Sequence, residues 1–552
     1  MSPTQPSATS RATAPRDATK LAALGILLLT AAIALCWSHV KLLSQDEIFV
    51  LQTDTVSSVH QLIHIQRAFP ISLDPLVYHL LAHACTKIFG PTPLALRLPS
   101  ILGFQLMQLC IFLATRRIAG PRAALIAMAF PALTATLFYA PEARPYGLLL
   151  GLYALTFLAW QTATQSTPDL SSRPEVSRSE AGVERPAVPN RTPALILLAV
   201  AIALTLNTHY FGILLLIPLC LAELARTLQR RRLDLPVILA ILLGIAGVYA
   251  TLPFQPAASE FRKHYYNAGA ITLRAISQAY RSLFVSYSTA PLSIQRLADA
   301  LLVLFALALI ALTLRRLRRP TSITLPPAEL TFLLALAALP LFGVLLAVFV
   351  THSIEVRYVL GALIAISIFV AIDVEPWLRN RTAWPAILTL FILAILAGGI
   401  FRIRDENQKT KQDLAALILP PALKAQLLAL PDSHLYIQDM GHFEVASYYE
   451  PDPQVRSRIT LLYSSPEEIR YDRHDTVSLT AEHMRHFTGF TIVPYSQLQQ
   501  QPGAHLLVLY HSGWDWTDQA LAADAQTTPL GPALTGDAIL ARFPAATSPS
   551  AN

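Results

Sequence analysis

Apolar runs dominate the first 400 residues, broken by short polar segments. The runs near 21–38, 96–115, 122–140, 145–162, 193–208, 211–224, 235–252, 297–314, 329–350, 358–374 and 384–401 are each apolar enough to cross a bilayer. A crossing helix needs roughly 20 residues, and shorter ones serve inside a bundle. The pattern therefore predicts about eleven transmembrane helices over 21–401, behind a polar tail at 1–20. Residues 55–69 are too polar to cross, yet they set Val59, Leu62, Ile63 and Gln66 on one partly apolar helical face. Such a helix lies along a membrane surface. Leu76–Phe89, opening after Pro75, predicts a second one, so segment 39–95 reads as a lid-like loop.

Two stretches break this pattern. Residues 163–192 are rich in Ser, Pro, Glu and Arg with almost nothing apolar, which predicts a disordered cytoplasmic linker. Over 402–552, short β-like runs at His434–Gln438, Arg458–Tyr463 and His505–Tyr510 alternate with helix-like stretches at 411–430 and 515–524. That alternation predicts a small soluble α/β domain. The expected fold class is an all-α polytopic membrane protein carrying a C-terminal extracytoplasmic α/β domain.

Composition agrees. The chain of 552 residues is 53% hydrophobic and 14% charged, with a mean hydropathy of +0.46, whereas soluble domains average about 25% charged residues. Lys and Arg favour the cytoplasmic side of short loops. With the amino terminus inside, the inner segments hold Arg11, Arg16 and Lys20, then Arg116, Arg117 and Arg122, then Arg226 and Arg230 to Arg232, then Arg315, Arg316, Arg318 and Arg319, then Arg379 and Arg381. These arginines account for the formal net charge of +7 without a nucleic-acid partner. The first apolar run reads as a retained anchor, because no small-x-small cleavage site precedes Trp37. Cys36, Cys85, Cys110 and Cys220 imply no disulfide framework. An odd number of crossings puts the first loop, the Pro141–Tyr146 turn, the 253–296 loop, the Thr351–Arg357 turn and the C-terminal domain together on the outer face.

The polar residues on that face carry the candidate chemistry. Asp46 and Glu47 are adjacent carboxylates beside a bilayer, costly to hold unless they titrate, bind a cation or accept a proton. The bland alternative is an acidic pair at a helix end. Glu142 and Arg144 sit in a turn that Pro145 closes, where they either face a cavity or pair with each other. Arg357, followed by Tyr358, suits a phosphate through its fork of donors, or else anchors the chain at the interface. His209 and Tyr210 end a predicted span, and Arg262, Lys263 and His264 with Tyr265 and Tyr266 form a basic aromatic patch. Arg97 is expected chiefly to pin the first loop to a helix.

The chain carries Asp46-Glu47 after the first helix, then Asp74-Pro75-Leu76-Val77-Tyr78, Ala95-Leu96-Arg97-Leu98-Pro99-Ser100, Tyr139-Ala140-Pro141-Glu142-Ala143-Arg144-Pro145-Tyr146, Thr208-His209-Tyr210-Phe211 and Glu355-Val356-Arg357-Tyr358. In this order and on one face, they resemble the GT-C membrane glycosyltransferases, in particular the bacterial RgtA/B/C/D-like group, over about residues 40–375. That group is similar to the aminoarabinose transferases of lipid A and to protein O-mannosyltransferases, which take one sugar from a polyprenyl phosphate. The resemblance implies an inverting transferase in the cytoplasmic membrane of a bacterium, with Asp46 as base and Glu47 orienting the acceptor, sharing the proton or helping to hold a divalent cation. It further implies Glu142 toward the acceptor, and Arg144, Arg357, Lys263 and Arg262 toward the donor phosphate. Tyr78, Arg97, Tyr146, His209, Tyr210 and Tyr358 would line the cavity. A divalent cation held by Asp46, Glu47 and Glu142 stays an open alternative. The implied partners are a polyprenyl-phosphate-linked sugar, the lipid bilayer and an acceptor that is a glycolipid, a polysaccharide or a protein, with the C-terminal domain helping to select it. Nucleotide sugars fit poorly, since the candidates face outward and no glycine-rich phosphate loop appears in the inner segments. Two other classes stay open: a transporter or flippase, although its charges usually sit near mid-bilayer, and a noncatalytic scaffold acting through surfaces such as His511–Trp516.

Overall fold

A computed structural model describes residues 14–72, 74–165, 191–264, 278, 280–284, 292–318, 325–348, 355–380, 382–429, 433–501, 503–510 and 516–544. Most of the linker at 163–192, Tyr265, Tyr266, the Arg262 side chain and His511 to Asp515 lie outside the described residues.

Among the described residues six helices are long and apolar enough to cross a membrane, and the pair Pro327–Ala337 and Leu339–Leu346 makes a seventh, bent by 52°. The runs expected at 193–208, 297–314 and 358–374 fall on the shorter helices Thr192–Leu206, Ala300–Leu312 and Ala362–Leu378, so length alone does not fix the number of crossings. Helix α1 (Ala14–Val40) packs against α5 (Pro93–Ala129) and against Ala383–Ala416. Helix α5 breaks at Gly120, whose φ of 83° suits only glycine, and Pro121 restarts the helix, so the two runs expected at 96–115 and 122–140 form a hairpin.

The helix Tyr146–Thr164 lies directly on α5, and glycines make that possible. A Cβ on Gly103 would come 2.3 Å from Leu148 Cα, one on Gly147 would come 2.4 Å from the Ser100 carbonyl oxygen, and one on Gly151 would come 2.4 Å from that of Gly103. The small-xxx-small spacing of Gly147 and Gly151 lets two backbones touch, as membrane helices do where no solvent drives them together. This contact holds the turn at 141–145 against the first outer loop.

That loop holds three helices, not the two expected: α2 (Gln45–Asp54), α3 (Val59–Ala68) and α4 (Leu76–Phe89). On α3 the inward residues are Leu62, Ile65 and Gln66, while Val59 is exposed. The apolar face is therefore rotated from the one the pattern suggested.

Helix Ala383–Ala416 runs 34 residues without a break, through the boundary expected at 401 and 402. Its polar half, Arg402–Lys411, is built mostly of good helix formers, so the span continues into solvent. Beyond it a six-stranded sheet has the order β3-β2-β1-β4-β6-β5. Strands β1 (Leu435–Ile437), β2 (Ile459–Tyr463), β3 (Thr491–Pro494) and β4 (Ala504–Leu509) pair in parallel, and β5 (Gln526–Ala533) with β6 (Gly536–Arg542) adds an antiparallel edge hairpin. Apolar clusters lie on both faces, one around Phe443 and Leu461 and the other around Tyr495 and Trp516. The three strands expected from sequence are present; β3 and β5 were missed because Pro494, Pro529 and Pro532 interrupt their strand signal, β5 being an edge strand that tolerates them, and β6 was missed with its hairpin partner.

The sheet domain is docked on the first loop. Leu43 N–H donates to Tyr449 Oη at 2.6 Å, His483 Nδ1 lies 2.8 Å from the Pro70 carbonyl oxygen, and Phe69 stacks on His486 at 4.1 Å. Val445, Tyr448, Tyr449 and Phe490 pack on the cluster of Leu43, Ile48, Val50, Leu51 and Tyr78.

Candidate active site

Asp46 and Glu47 occupy the first turn of α2, about 100° apart around the axis, so they face different surroundings. Glu47 is fully buried. Its Oε1 accepts from Arg97 Nε at 2.8 Å and from Ala143 N–H at 2.8 Å, and its Oε2 accepts from Arg97 Nη2 at 3.0 Å and from Ser44 N–H at 3.0 Å. Burial pushes this carboxyl up, but Arg97, with Lys41 and the Ala143 amide, brings it down to about 2. The remaining donors of Arg97 close the end of α1, with Nη1 on the carbonyls of Ser38 and Lys41 and Nη2 on that of Leu42. Glu47 and Arg97 thus join α1, α2, α5 and the 141–145 turn in one clamp.

The Asp46 side chain, by contrast, is 43% exposed and has no close polar partner among the described residues. Its Oδ2 lies 3.8 Å from Arg144 Nη1 and 3.8 Å from Arg357 Nη1. Both guanidiniums keep a buried Nε without a hydrogen-bond partner among the described residues. Arg144 also reaches Asp74, with Nη2 3.3 Å from Oδ2. Burial pushes Asp74 up, while Arg144, His209 and His79 hold it below the usual carboxylate range. Asp74 is placed by Pro75, which starts α4, and by the bond from Val77 N–H to the Asn207 carbonyl at 3.0 Å.

His209 completes this side. Its Nδ1 accepts from Phe211 N–H at 3.1 Å, which leaves the proton on Nε2, 3.5 Å from Asp74 Oδ1. Burial and the charges of Arg144 and Arg357, opposed by Asp74, bring His209 down to about 4, so the ring is neutral near pH 7. Tyr358 stacks on Phe211 at 3.8 Å, Tyr146 lies 5.4 Å from the His209 ring, and Arg357 lies 5.9 Å from the Tyr146 ring and 5.5 Å from that of Tyr358. The result is a cluster of one accessible carboxylate, two guanidiniums and several aromatic rings. Asp74 and Tyr210 also line a cleft with Gln66, Ser72 and Phe254.

The structure brings together Asp46, Arg144, Arg357, Tyr146, His209 and Tyr358 of the residues singled out from sequence. It corrects Glu47, Glu142, Tyr78, Arg97 and Lys263. Glu47 cannot share the work of Asp46, because Arg97 and two amides occupy its oxygens. Glu142 turns to Lys41 Nζ at 2.9 Å, which also keeps it from pairing with Arg144. Tyr78 is buried and donates to the Leu96 carbonyl at 2.9 Å, and Arg97 is wholly inside the clamp, so neither lines the cavity. Lys263 pairs with Glu260 on an exposed surface at 2.6 Å. The three carboxylates offered for a divalent cation do not converge, and among the described residues no group of three or more His, Cys, Asp or Glu side chains is placed to hold a metal.

Sequence reasoning gave Asp74 no role, although an aspartate fixed just before a helix by Pro75 was a signal for it. It also missed the buried pair of Asp54 and His79, 2.8 Å apart, beneath Asp74. For Glu47 the missed signal was Ser44-Gln45-Asp46-Glu47, a serine followed three residues later by glutamate, which marks a helix start.

Residues 74–171 match the family model for dolichyl-phosphate-mannose-protein mannosyltransferases. The matched segment contains Asp74, Arg97, Arg144 and Tyr146. Over nearly the whole chain the fold is similar to ArnT from Cupriavidus metallidurans bound to undecaprenyl phosphate, with a TM-score of 0.57 and 13% identity, covering 95% of this chain and 98% of that one. The apo state of the same ArnT gives a TM-score of 0.56 at 13% identity, covering 94% of this chain and 98% of that one. No curated protein sequence matches the chain. The chain therefore has the GT-C membrane fold that the sequence motifs suggested.

Proposed function

We propose that this protein is a membrane glycosyltransferase that moves one sugar from a polyprenyl phosphate to an acceptor on the outer face of the membrane, with inversion and with Asp46 as general base. The observation that carries the reading is Asp46 lying between two guanidiniums at 3.8 Å, each with a buried Nε that has no partner among the described residues. A carboxylate without a tight partner accepts a proton, and two forked cations bind phosphate oxygens. The ArnT structure whose fold this chain shares holds undecaprenyl phosphate, which supports a lipid-phosphate donor.

In this reaction the acceptor hydroxyl gives its proton to Asp46 as its oxygen bonds to the anomeric carbon. The bond from that carbon to the phosphate oxygen breaks, and its electron pair stays on the lipid phosphate. Arg144 and Arg357 meet the charge that grows there, beside the rings of Tyr146, His209, Phe211 and Tyr358. Asp74 holds Arg144 in place, and neutral His209 leaves the positive field to the guanidiniums. The outward direction rests on the basic inner loops and on the odd number of crossings expected from sequence; the cytoplasmic membrane of a bacterium, and a glycolipid, polysaccharide or protein as acceptor, complete the reading.

The test is transfer of labelled sugar from a panel of polyprenyl-phosphate monosaccharides to native membrane extract, comparing the purified protein with Asp46→Asn. A donor that works with wild type and fails with the folded variant supports the proposal. Equal turnover by both proteins removes Asp46 as base, and no turnover with any donor removes the transferase reading.

A further inference from the structure

The C-terminal domain sets a buried group against α2 that the reaction described above does not use. Glu444 lies on the helix Met440–Tyr449, which packs on α2, the helix that carries Asp46. The approach is close: a Cβ on Gly441, three residues earlier, would come 2.9 Å from Gln45 Oε1, next to Asp46 in the chain. Glu444 is 0% exposed, and both its oxygens lack a hydrogen-bond partner among the described residues. Ser447, one turn on and on the same face of the helix, is buried with a partnerless Oγ as well. Asp46 is the charged side chain whose field acts on Glu444.

A buried carboxyl without partners is costly, and apolar packing would be the cheaper filling. Burial, with the charge of Asp46 adding to it, pushes Glu444 well above the usual carboxylate range and so favours the neutral acid, the form that can both donate and accept. Glu444 and Ser447 together present several hydrogen-bonding atoms beside the base. A lone serine or threonine hydroxyl offers one donor, and Asp46 takes that one. A saccharide offers further hydroxyls next to the attacking one, at the spacing of neighbouring ring carbons.

From this juxtaposition we infer that Glu444 and Ser447 form an acceptor subsite, in which they hold the hydroxyls adjacent to the nucleophile of a saccharide acceptor. The inference rests on the transferase reading and assigns the acceptor side of its cavity to the C-terminal domain. Glu444 is a positioning residue: it sets the acceptor hydroxyl against Asp46 and takes no proton from it.

The experiment compares full-length wild type with Glu444→Met and Glu444→Gln, using the donor found active above and, as acceptors, the glycolipid fraction and the protein fraction of the native membrane. Glu444→Met keeps the size and removes the hydrogen bonds. It is expected to melt no lower than wild type, yet to raise KM for the glycolipid acceptor by about tenfold to a hundredfold with the donor KM unchanged. Glu444→Gln is expected to restore most of that loss. An unchanged acceptor KM in Glu444→Met, or a lower Tm together with equal changes for donor and acceptor, overturns the subsite while leaving the transferase reading intact. Transfer to the protein fraction alone overturns the saccharide assignment. Failure of wild type to transfer to either fraction overturns the transferase reading and this inference with it.

Discussion

Asp46 and Glu47 are chain neighbours with opposite fates, and the contrast separates the two charged regions around the start of α2. In the Glu47 clamp every carboxylate oxygen is occupied by donors at 2.8 to 3.0 Å, and the guanidinium that serves it also closes a helix end. In the Asp46 cavity the opposite charges stop at 3.3 to 3.8 Å, and guanidinium nitrogens are left over. A closed ion pair fixes geometry and has no capacity left for a ligand. An open one costs stability and keeps its hydrogen-bonding capacity for something that arrives later. Identical chemistry is therefore closed on itself in one place and left open 3.8 Å from a cation in the other, which is where the proposed function puts the base.

The largest expected effect is on the open side. Asp46→Asn should lower kcat about 10²- to 10⁴-fold, the range for loss of a general base, with the melting temperature within a few degrees of wild type. On the closed side the same kind of change should act in the opposite way. Glu47→Gln leaves Arg97 buried beside a neutral group and should cost about 3 to 5 kcal/mol of stability, read as a loss of folded protein in detergent before any change in KM. If Asp46→Asn unfolds the chain and Glu47→Gln only slows it, the two roles are exchanged.

The pH dependence of stability sharpens this contrast. Glu47 is held at about 2 in the folded chain against an ordinary value of 4.5, so it contributes stability that is present above pH 4.5 and is lost as the pH falls toward 2. The difference in unfolding free energy between wild type and Glu47→Gln should shrink by about 3 kcal/mol across that window, measured by denaturant unfolding at stepped pH.

Smaller effects come from the edges of the two regions. Arg357→Lys keeps the charge but removes the fork, and should raise the donor KM about tenfold with little change in the acceptor KM. An equal rise in both constants would argue against a phosphate role. Tyr78→Phe removes only the bond to the Leu96 carbonyl and should cost about 1 kcal/mol in stability with kcat unchanged. A catalytic defect there would return Tyr78 to the cavity.

Much of this organisation was legible from the chain. Runs of apolar residues between arginine-rich inner loops gave the helical bundle, and three β-like runs gave the parallel core of the C-terminal sheet. Arg144, Tyr146, His209, Arg357 and Tyr358 were readable as a set because each sits at the outer end of an apolar segment, where polar side chains are costly unless used. What misled was direction. An adjacent pair of carboxylates looks like one unit in a linear sequence, but a helix turns consecutive residues by about 100° and gives them different neighbours. Glu142 and Arg144 likewise looked like two groups facing one cavity, or else each other, and were drawn apart by Lys41 and Asp74.

The sequence by itself determined the solvent each segment faces, because transfer of apolar side chains out of water is additive along a run and needs no knowledge of partners. It also determined which residue types stand at the outer surface. Tertiary structure alone decided which of them are spent on each other. The bidentate hold of Arg97 on Glu47, the opening between Asp46 and its two arginines, and the placement of Glu444 from a domain some 400 residues further along the chain depend on distances of a few ångströms between segments remote in sequence. Electrostatic interactions change strongly over those distances and with burial, and neither quantity is written in the order of the residues.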